Sequence, residues 1–255
     1  MNMDYFNAEK VRDELVNWIR IWFDKNGPTS KAIIGISGGK DSTIVAGLCV
    51  HALGKDRVIG VLMPNGNQKD IDDSHRVCEA LGIKNITVDI QDGYYGIAEE
   101  VEDKVVNDLG LGIKELSEQT KINLAPRLRM TTLYAVAQTV GGRVINTSNR
   151  SEAAIGYFTR WGDECGDVKP IVNLTKSEVV EIGKTMPEIP IDLIVKAPSD
   201  GLTGMSDEEK IGFSYDNLDK YLTGHEVDDK NELDRIVKRM NEVEFKRRPI
   251  DCFVP

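Results

Sequence analysis

Residues Gly35-Ile36-Ser37-Gly38-Gly39-Lys40-Asp41-Ser42 combine groups suited to gripping a polyphosphate. They fall where a short apolar run ends and a helical pattern begins. Successive glycines let the main chain turn tightly and come close to a phosphate. N–H groups left free at the start of a helix point at anionic oxygens, and the helix dipole adds to the attraction. The hydroxyls of Ser37 and Ser42 can donate as well. Asp41 places a negative charge where phosphates would gather, which makes sense if a cation sits between them. The spacing is neither the GxxxxGK(S/T) of a Walker A loop nor GxGxxG. The plainer alternative is a tight strand-to-helix turn with Ser and Asp as incidental caps.

Other chemically suggestive groups are spread along the chain. Asn146-Thr147-Ser148-Asn149-Arg150-Ser151-Glu152 follows an apolar run, at a strand end facing the same rim as the phosphate loop, and ends on a carboxylate. A capping turn explains Thr147 and Ser148 equally well. Arg127 and Arg129 lie among apolar residues, where a ligand contact and a solvated helix edge are both open. Lys246-Arg247-Arg248 forms the densest basic cluster, again open to reading as a solvated tail.

The SGGxDS spacing resembles the signature of the ATP pyrophosphatases, which cleave ATP between the α- and β-phosphates and hand AMP to a carboxyl or carbonyl oxygen. Further segments are similar to those of one branch, the NAD synthetases. Asn123–Met130 resembles NxxARxRM, with Pro126 in place of Ala, so a helix start or kink is in question there. Asn146–Glu152 looks like the family's Gly-Thr stretch ending in Glu, with Asn146 in place of Gly. Ile155–Asp167 is similar to GFFTKYGD followed by Gly-Asp, Arg160 standing for Lys. Pro170–Lys176 resembles PLxxLTK, and Lys196–Leu202 resembles KxPTADL with Ser199 for Thr. Ile211–Leu222 looks like LGxxYDxIDxYL, and Glu244–Pro249 resembles HKRxxP with Phe245 for His.

The resemblance implies amidation of deamido-NAD with ammonia, driven by ATP through an acyl-adenylate. It assigns ATP to Gly35, Ile36, Ser37, Gly38, Gly39, Lys40, Asp41 and Ser42, with Thr147, Lys176 and Ser199. Magnesium falls to Asp41 and Glu152, and deamido-NAD to Arg127, Arg160, Asp167, Phe245 and Lys246. Asp163 and Lys176 are the implied catalytic groups, Asp163 taking a proton from ammonium. A homodimer with the deamido-NAD site at its interface is implied too. The apolar positions Leu128, Leu133, Val136 and Val140 suit that interface or an internal helix. Glutamine-dependent relatives carry an amidase domain. Here the phosphate loop begins at residue 35, so ammonia is expected to be free or passed from a separate protein.

The elements that must position these groups alternate. Helical periodicity spans residues 8–25, then Lys31–Ser37 reads as a strand buried on both faces. Helix 42–53, strand 57–63, helix 69–81, strand 85–90, helix 93–109, helix 120–139 and strand 142–147 follow. Strands alternating with helices predict a doubly wound α/β fold with a parallel sheet, Rossmann-like and of the adenine nucleotide α-hydrolase-like type that the resemblance implies. A helix follows from about Ser151; residues 158–174 and 185–206 read as irregular, functional loops. Helices are expected again at 176–184, 207–222 and 229–245. No repeat or linker divides residues 1–255, so one domain is expected.

Net charge is −10, which argues against a nucleic-acid partner. No apolar run nears the roughly 20 residues of a membrane span, and the N-terminus lacks a signal pattern, so a cytoplasmic location is expected. The four cysteines and three histidines are scattered, giving no metal or disulfide framework. A tRNA-thiolating or lysidine-forming relative would need a basic surface or paired reactive cysteines. A mere ATP sensor would have no use for two metal-ligand carboxylates.

Overall fold

The structure, a computed structural model, describes residues 6–68, 71–196 and 207–253. Helix α1 (Ala8–Asn26) starts where the Asn7 side chain accepts the Lys10 N–H at 2.9 Å, and ends at Gly27. Then come β1 (Lys31–Gly35), α2 (Lys40–Leu53), β2 (Val58–Leu62), α3 (Ile71–Leu81), β3 (Lys84–Thr87), α4 (Gln91–Asn107), α5 (Glu118–Val140) and β4 (Gly142–Val144). The strands form one parallel sheet in the order β3-β2-β1-β4. The chain builds outward from β1 to β3, then returns to lay β4 against the other side of β1. That reversal opens a crevice beyond the carboxyl ends of β1 and β4, where open α/β sheets take their ligands.

The apolar run of β1 serves both faces. Ala32 and Ile34 pack into a layer with Ile19 and Phe23 of α1 and Ile44 and Leu48 of α2. Ile33 points the other way, to Val61, Val144 and Ala137. Ile33 and Ile34 are both fully buried, each contributing roughly 1.5–3 kcal/mol of transfer free energy. One polar substitution in β1 would therefore damage one layer or the other.

Helix α5 begins at Glu118, capped by Ser117, and runs unbroken through Pro126. The proline removes one backbone bond without starting or ending the helix. Leu128, Leu133 and Val136 pack inward against the second core layer, whereas Val140 is exposed.

Beyond β4 the chain forms α6 (Arg150–Ala154), α7 (Lys176–Lys184), α8 (Ile191–Val195), α9 (Asp207–Ile211), α10 (Tyr215–Thr223), α11 (Lys230–Glu242) and α12 (Glu244–Arg247). Four expectations are corrected here. Residues 207–222 form two helices, because Gly212 turns to φ +80° and Ser214 caps α10. Residues 229–245 break at Val243. The stretch expected to be irregular contains α8, and part of 158–174 pairs with the sheet: Ile145 bridges Val168 in parallel. Ile155, Phe213, Tyr215, Leu218 and Ile236 form a third cluster that holds the C-terminal helices together.

Candidate active site

The loop between β1 and α2 is braced from within. Gly38 adopts φ +75°, a conformation that L side chains rarely take. The Ser37 and Ser42 hydroxyls lie 3.1 Å apart, Ser42 donates to the Gly39 carbonyl at 3.0 Å, and Thr43 donates to the same oxygen at 2.8 Å. The serines thus hold the turn's shape. Gly39, the N-cap of α2, provides no side-chain acceptor for the first-turn amides. Such amides are the usual anion-binding feature of a helix start.

Across the crevice stand the starts of three more helices. The Asn149 side chain caps α6, accepting the Glu152 N–H at 2.9 Å while its amide donates to Asp41 Oδ1 at 3.3 Å. Lys176, the first residue of α7, is only 5% exposed. Its Nζ lies 3.5 Å from Glu152 Oε1, 3.7 Å from Asp207 Oδ2 and 3.7 Å from the centre of the Tyr215 ring. Asp207, at the start of α9, also accepts from the Tyr157 hydroxyl at 3.0 Å.

The carboxylates are crowded. Desolvation in the crevice, followed by the charge of Asp41, pushes Glu152 up to about 8. Desolvation raises Asp41 too, against the pull of Lys176. Lys40 is lowered, first by burial and then by Lys176. Two carboxylates that line one cavity and resist ionising side by side suit a hard divalent cation. Among the described residues no three acidic, His or Cys groups close on one point, so phosphate oxygens or water would complete the shell.

A cavity of about 420 Å³ joins the loop to this cluster. Gly35, Ile36, Ser37, Gly38, Gly39, Lys40 and Asp41 line it, as do Thr147, Glu152, Asp163 and Lys176. Asp163 is accessible at the mouth yet ringed by protein: Thr159 N–H donates to its Oδ1 at 2.8 Å, and desolvation raises its carboxyl. Ser42 sits behind the turn, nearly inaccessible. Ser199 lies outside the described residues.

The residues assigned to deamido-NAD do not line this cavity. Arg127 donates to the Arg160 carbonyl at 3.4 Å, and Arg160 to the Arg248 carbonyl at 3.4 Å, forming a strip on the outer surface. Asp167 Oδ2 is occupied by the Val144 N–H at 2.8 Å. Lys246 donates to the carbonyls of Gly156 and Phe158 of its own chain, and Phe245 is exposed. Among the charged residues lining the cavity, Asp207 and Arg129 are given no role by the sequence. Asp207 enters only as the first residue of an expected helix. Arg129, recognised as part of its motif without a role, reaches the cavity and donates to the Met63 carbonyl at 3.0 Å.

A braced phosphate-type loop at the switch point of a parallel sheet, faced by buried carboxylates and a lysine, defines a nucleotide-handling α/β enzyme. The NAD synthase family model matches residues 11–250, and the chain belongs to that family. It is 36% identical over 244 residues to the NH(3)-dependent NAD(+) synthetase of Finegoldia magna, covering 95% of each chain. It is 39% identical over 221 residues to that of Pyrococcus furiosus, covering 86% of this chain and 79% of the other. Among solved structures, NMN synthetase from Francisella tularensis superposes with a TM-score of 0.85 at 34% identity, over 98% of this chain and 99% of that one.

Proposed function

We propose that this chain amidates deamido-NAD to NAD with ammonia, consuming ATP and releasing AMP and pyrophosphate. The observation that carries the reading is the uncapped start of α2, with Asp41 in its first turn, facing Glu152 and Lys176 across one cavity. ATP lies along Gly35–Ser42 with its β- and γ-phosphates on the amides of α2 and the Lys176 ammonium. The nicotinate carboxylate attacks the α-phosphorus, the bond to the β-phosphate breaks, and an acyl-adenylate forms. A carboxylate resists ammonia because oxide would have to leave; the adenylate provides AMP as a leaving group instead. Asp41 and Glu152 would hold a magnesium ion, which would supply positive charge against that of the phosphates. Asp163, at the cavity mouth, accepts a proton from ammonium so that neutral ammonia attacks the acyl carbon. Thr147 contributes to ATP binding from the β4 side, and Ser199 does so from the segment after Lys196.

Arg127, Arg160, Asp167, Phe245 and Lys246 meet the acceptor outside this cavity, where a second copy of the chain completes the surface. Exposed apolar residues Ile97 and Val101, one turn apart on α4, and Ile122 on α5 support a homodimer. Residues 1–255 act as one synthetase domain that takes free or delivered ammonia, in the cytoplasm. No helix among the described residues is long and apolar enough to cross a membrane.

Incubation with ATP, magnesium, ammonium and deamido-NAD should yield NAD, AMP and pyrophosphate in equal amounts. ADP and phosphate as products would overturn the AMP-transfer reading. A second reading has support in the Francisella structure and in the replacement of His by Phe245 beside a Lys246 already engaged by its own chain. In it, the acceptor is the mononucleotide, which lacks the adenylate half. Comparing kcat/KM for the two acceptors decides between them; deamido-NAD is expected to lead by about tenfold or more, a difference of roughly 1.4 kcal/mol in transition-state binding.

A further inference from the structure

Helix α10 lies behind the cavity wall. Two of its residues, Tyr215 and Asp219, are one helical turn apart and face the same way. Tyr215 places its ring under the Lys176 ammonium. Asp219 is 2% exposed, and its carboxylate is satisfied by neighbours on two other elements. The Ser151 hydroxyl of α6 donates to Oδ1. The Ser177 N–H and hydroxyl of α7 donate to Oδ2 at 2.9 and 2.7 Å. Ser151 Oγ in turn accepts the Lys176 N–H at 2.9 Å. A single buried carboxylate thereby ties the first turn of the helix carrying Glu152 to the first turn of the helix carrying Lys176. Arg150, donating to the Leu222 carbonyl at 2.8 Å, fastens α6 to the far end of α10.

The geometry points to Asp219 as a positioning residue for pyrophosphate binding and AMP transfer: it sets the place of Lys176 relative to Glu152. This rests on the proposed reaction, in which Lys176 meets the phosphates. Ionic hydrogen bonds inside protein are stronger than neutral ones, and an unpaired buried donor is costly, so the arrangement is stiff. An asparagine in this position keeps the volume but presents an NH2 to one of the two serines, both of which donate to the carboxylate. The α6–α7 junction then loosens without a cavity being made.

Asp219→Asn and Ser177→Ala are compared with the unaltered protein in two assays, pyrophosphate binding by calorimetry with magnesium present and steady-state amidation. Asp219→Asn is expected to weaken pyrophosphate binding about fivefold or more and to lower kcat about 10- to 100-fold, with the KM for deamido-NAD within about twofold and an unchanged far-UV spectrum. Ser177→Ala removes one donor only and should move binding and kcat in the same direction by about two- to fivefold. A merely structural role would lower the active fraction and leave the pyrophosphate Kd of the folded fraction unmoved. A folded Asp219→Asn protein that binds pyrophosphate as the unaltered chain does overturns the inference, as does an unaltered chain that binds none. Should Asp219→Asn fail to fold, Ser177→Ala decides by the same criterion: a weakened Kd supports the assignment and an unchanged one refutes it. Because calorimetry requires no acceptor, absence of amidation by the unaltered chain would count against the proposed reaction, while the binding data alone would still decide the role of Asp219.

Discussion

The side chain of Asn149 links the two acidic residues of the cluster, donating to the Asp41 carboxylate while accepting the backbone N–H of Glu152. Replacing Asp41 by Asn should reduce turnover at least about 100-fold with the melting temperature changed by only a few degrees, since its contact is a single polar one at the cavity wall. Near-normal NAD formation by that variant would remove Asp41 from the set of metal ligands. Glu152 has a definite pH signature in the metal-free protein. Its folded value, about 8, is raised above the unfolded value of about 4.3. The folded state therefore holds the proton more tightly, and that stabilisation is complete below about pH 4, fading as pH rises through about 8. Glu152→Gln should abolish the fade, so that its melting temperature falls less than that of the unaltered chain between pH 6 and pH 9 in the presence of a chelator. Parallel decline in both proteins would show that Glu152 is not the group responsible. At this scale the sequence was most informative about Gly35–Asp41, because glycines and a lone Asp between a strand and a helix have few other uses. It said little about Asp207 or Arg129, whose importance comes from contacts with segments far along the chain.

Among the elements, the turn between β1 and α2 depends on one left-handed residue. Gly38→Ala forces a methyl-bearing residue into φ +75°, at a cost of about 1–2 kcal/mol. We expect a melting temperature lower by ~2–8 °C and an ATP affinity reduced about tenfold; wild-type affinity would mean that the turn is not where the triphosphate lies. Most helices were legible from periodicity, α7 to the residue, because its Thr175–Glu178 capping box gives a clear start. Others were blurred by competing local signals. The apolar spacing runs on from α9 into α10, and only the left-handed turn at Gly212, followed by the Ser214 cap, separates them. The pairing of Ile145 with Val168 was invisible, since a parallel partner more than twenty residues away leaves no local pattern.

For the molecule as a whole, α/β alternation was enough to anticipate a parallel sheet, and the strand order could not be read because crossovers fix neighbours only in space. The same limit applies to the α5 face. Leu128, Leu133 and Val136, which fitted an interface or an interior, turn inward, whereas Tyr95, Ile97, Val101 and Ile122 remain on the surface. Ile97 and Val101, one turn apart on α4, form an exposed apolar strip of the kind expected to be covered in solution. Sedimentation should give twice the chain mass of 28.4 kDa, and Ile97→Glu with Val101→Glu should shift the protein toward the monomer while leaving its far-UV spectrum unchanged. A monomer for the unaltered chain at micromolar concentration would contradict the proposed dimer.

The cavity is walled by the first turns of α2, α6, α7 and α9, helices that begin at residues 40, 150, 176 and 207. During synthesis all four strands have emerged once residue 144 is out, but the cavity wall is not closed until the stretch holding Asp207, Tyr215 and Asp219 has left the ribosome. A half-made chain therefore lacks the means to spend nucleotide, and the ability to turn over fuel arrives only with the last quarter of the polypeptide.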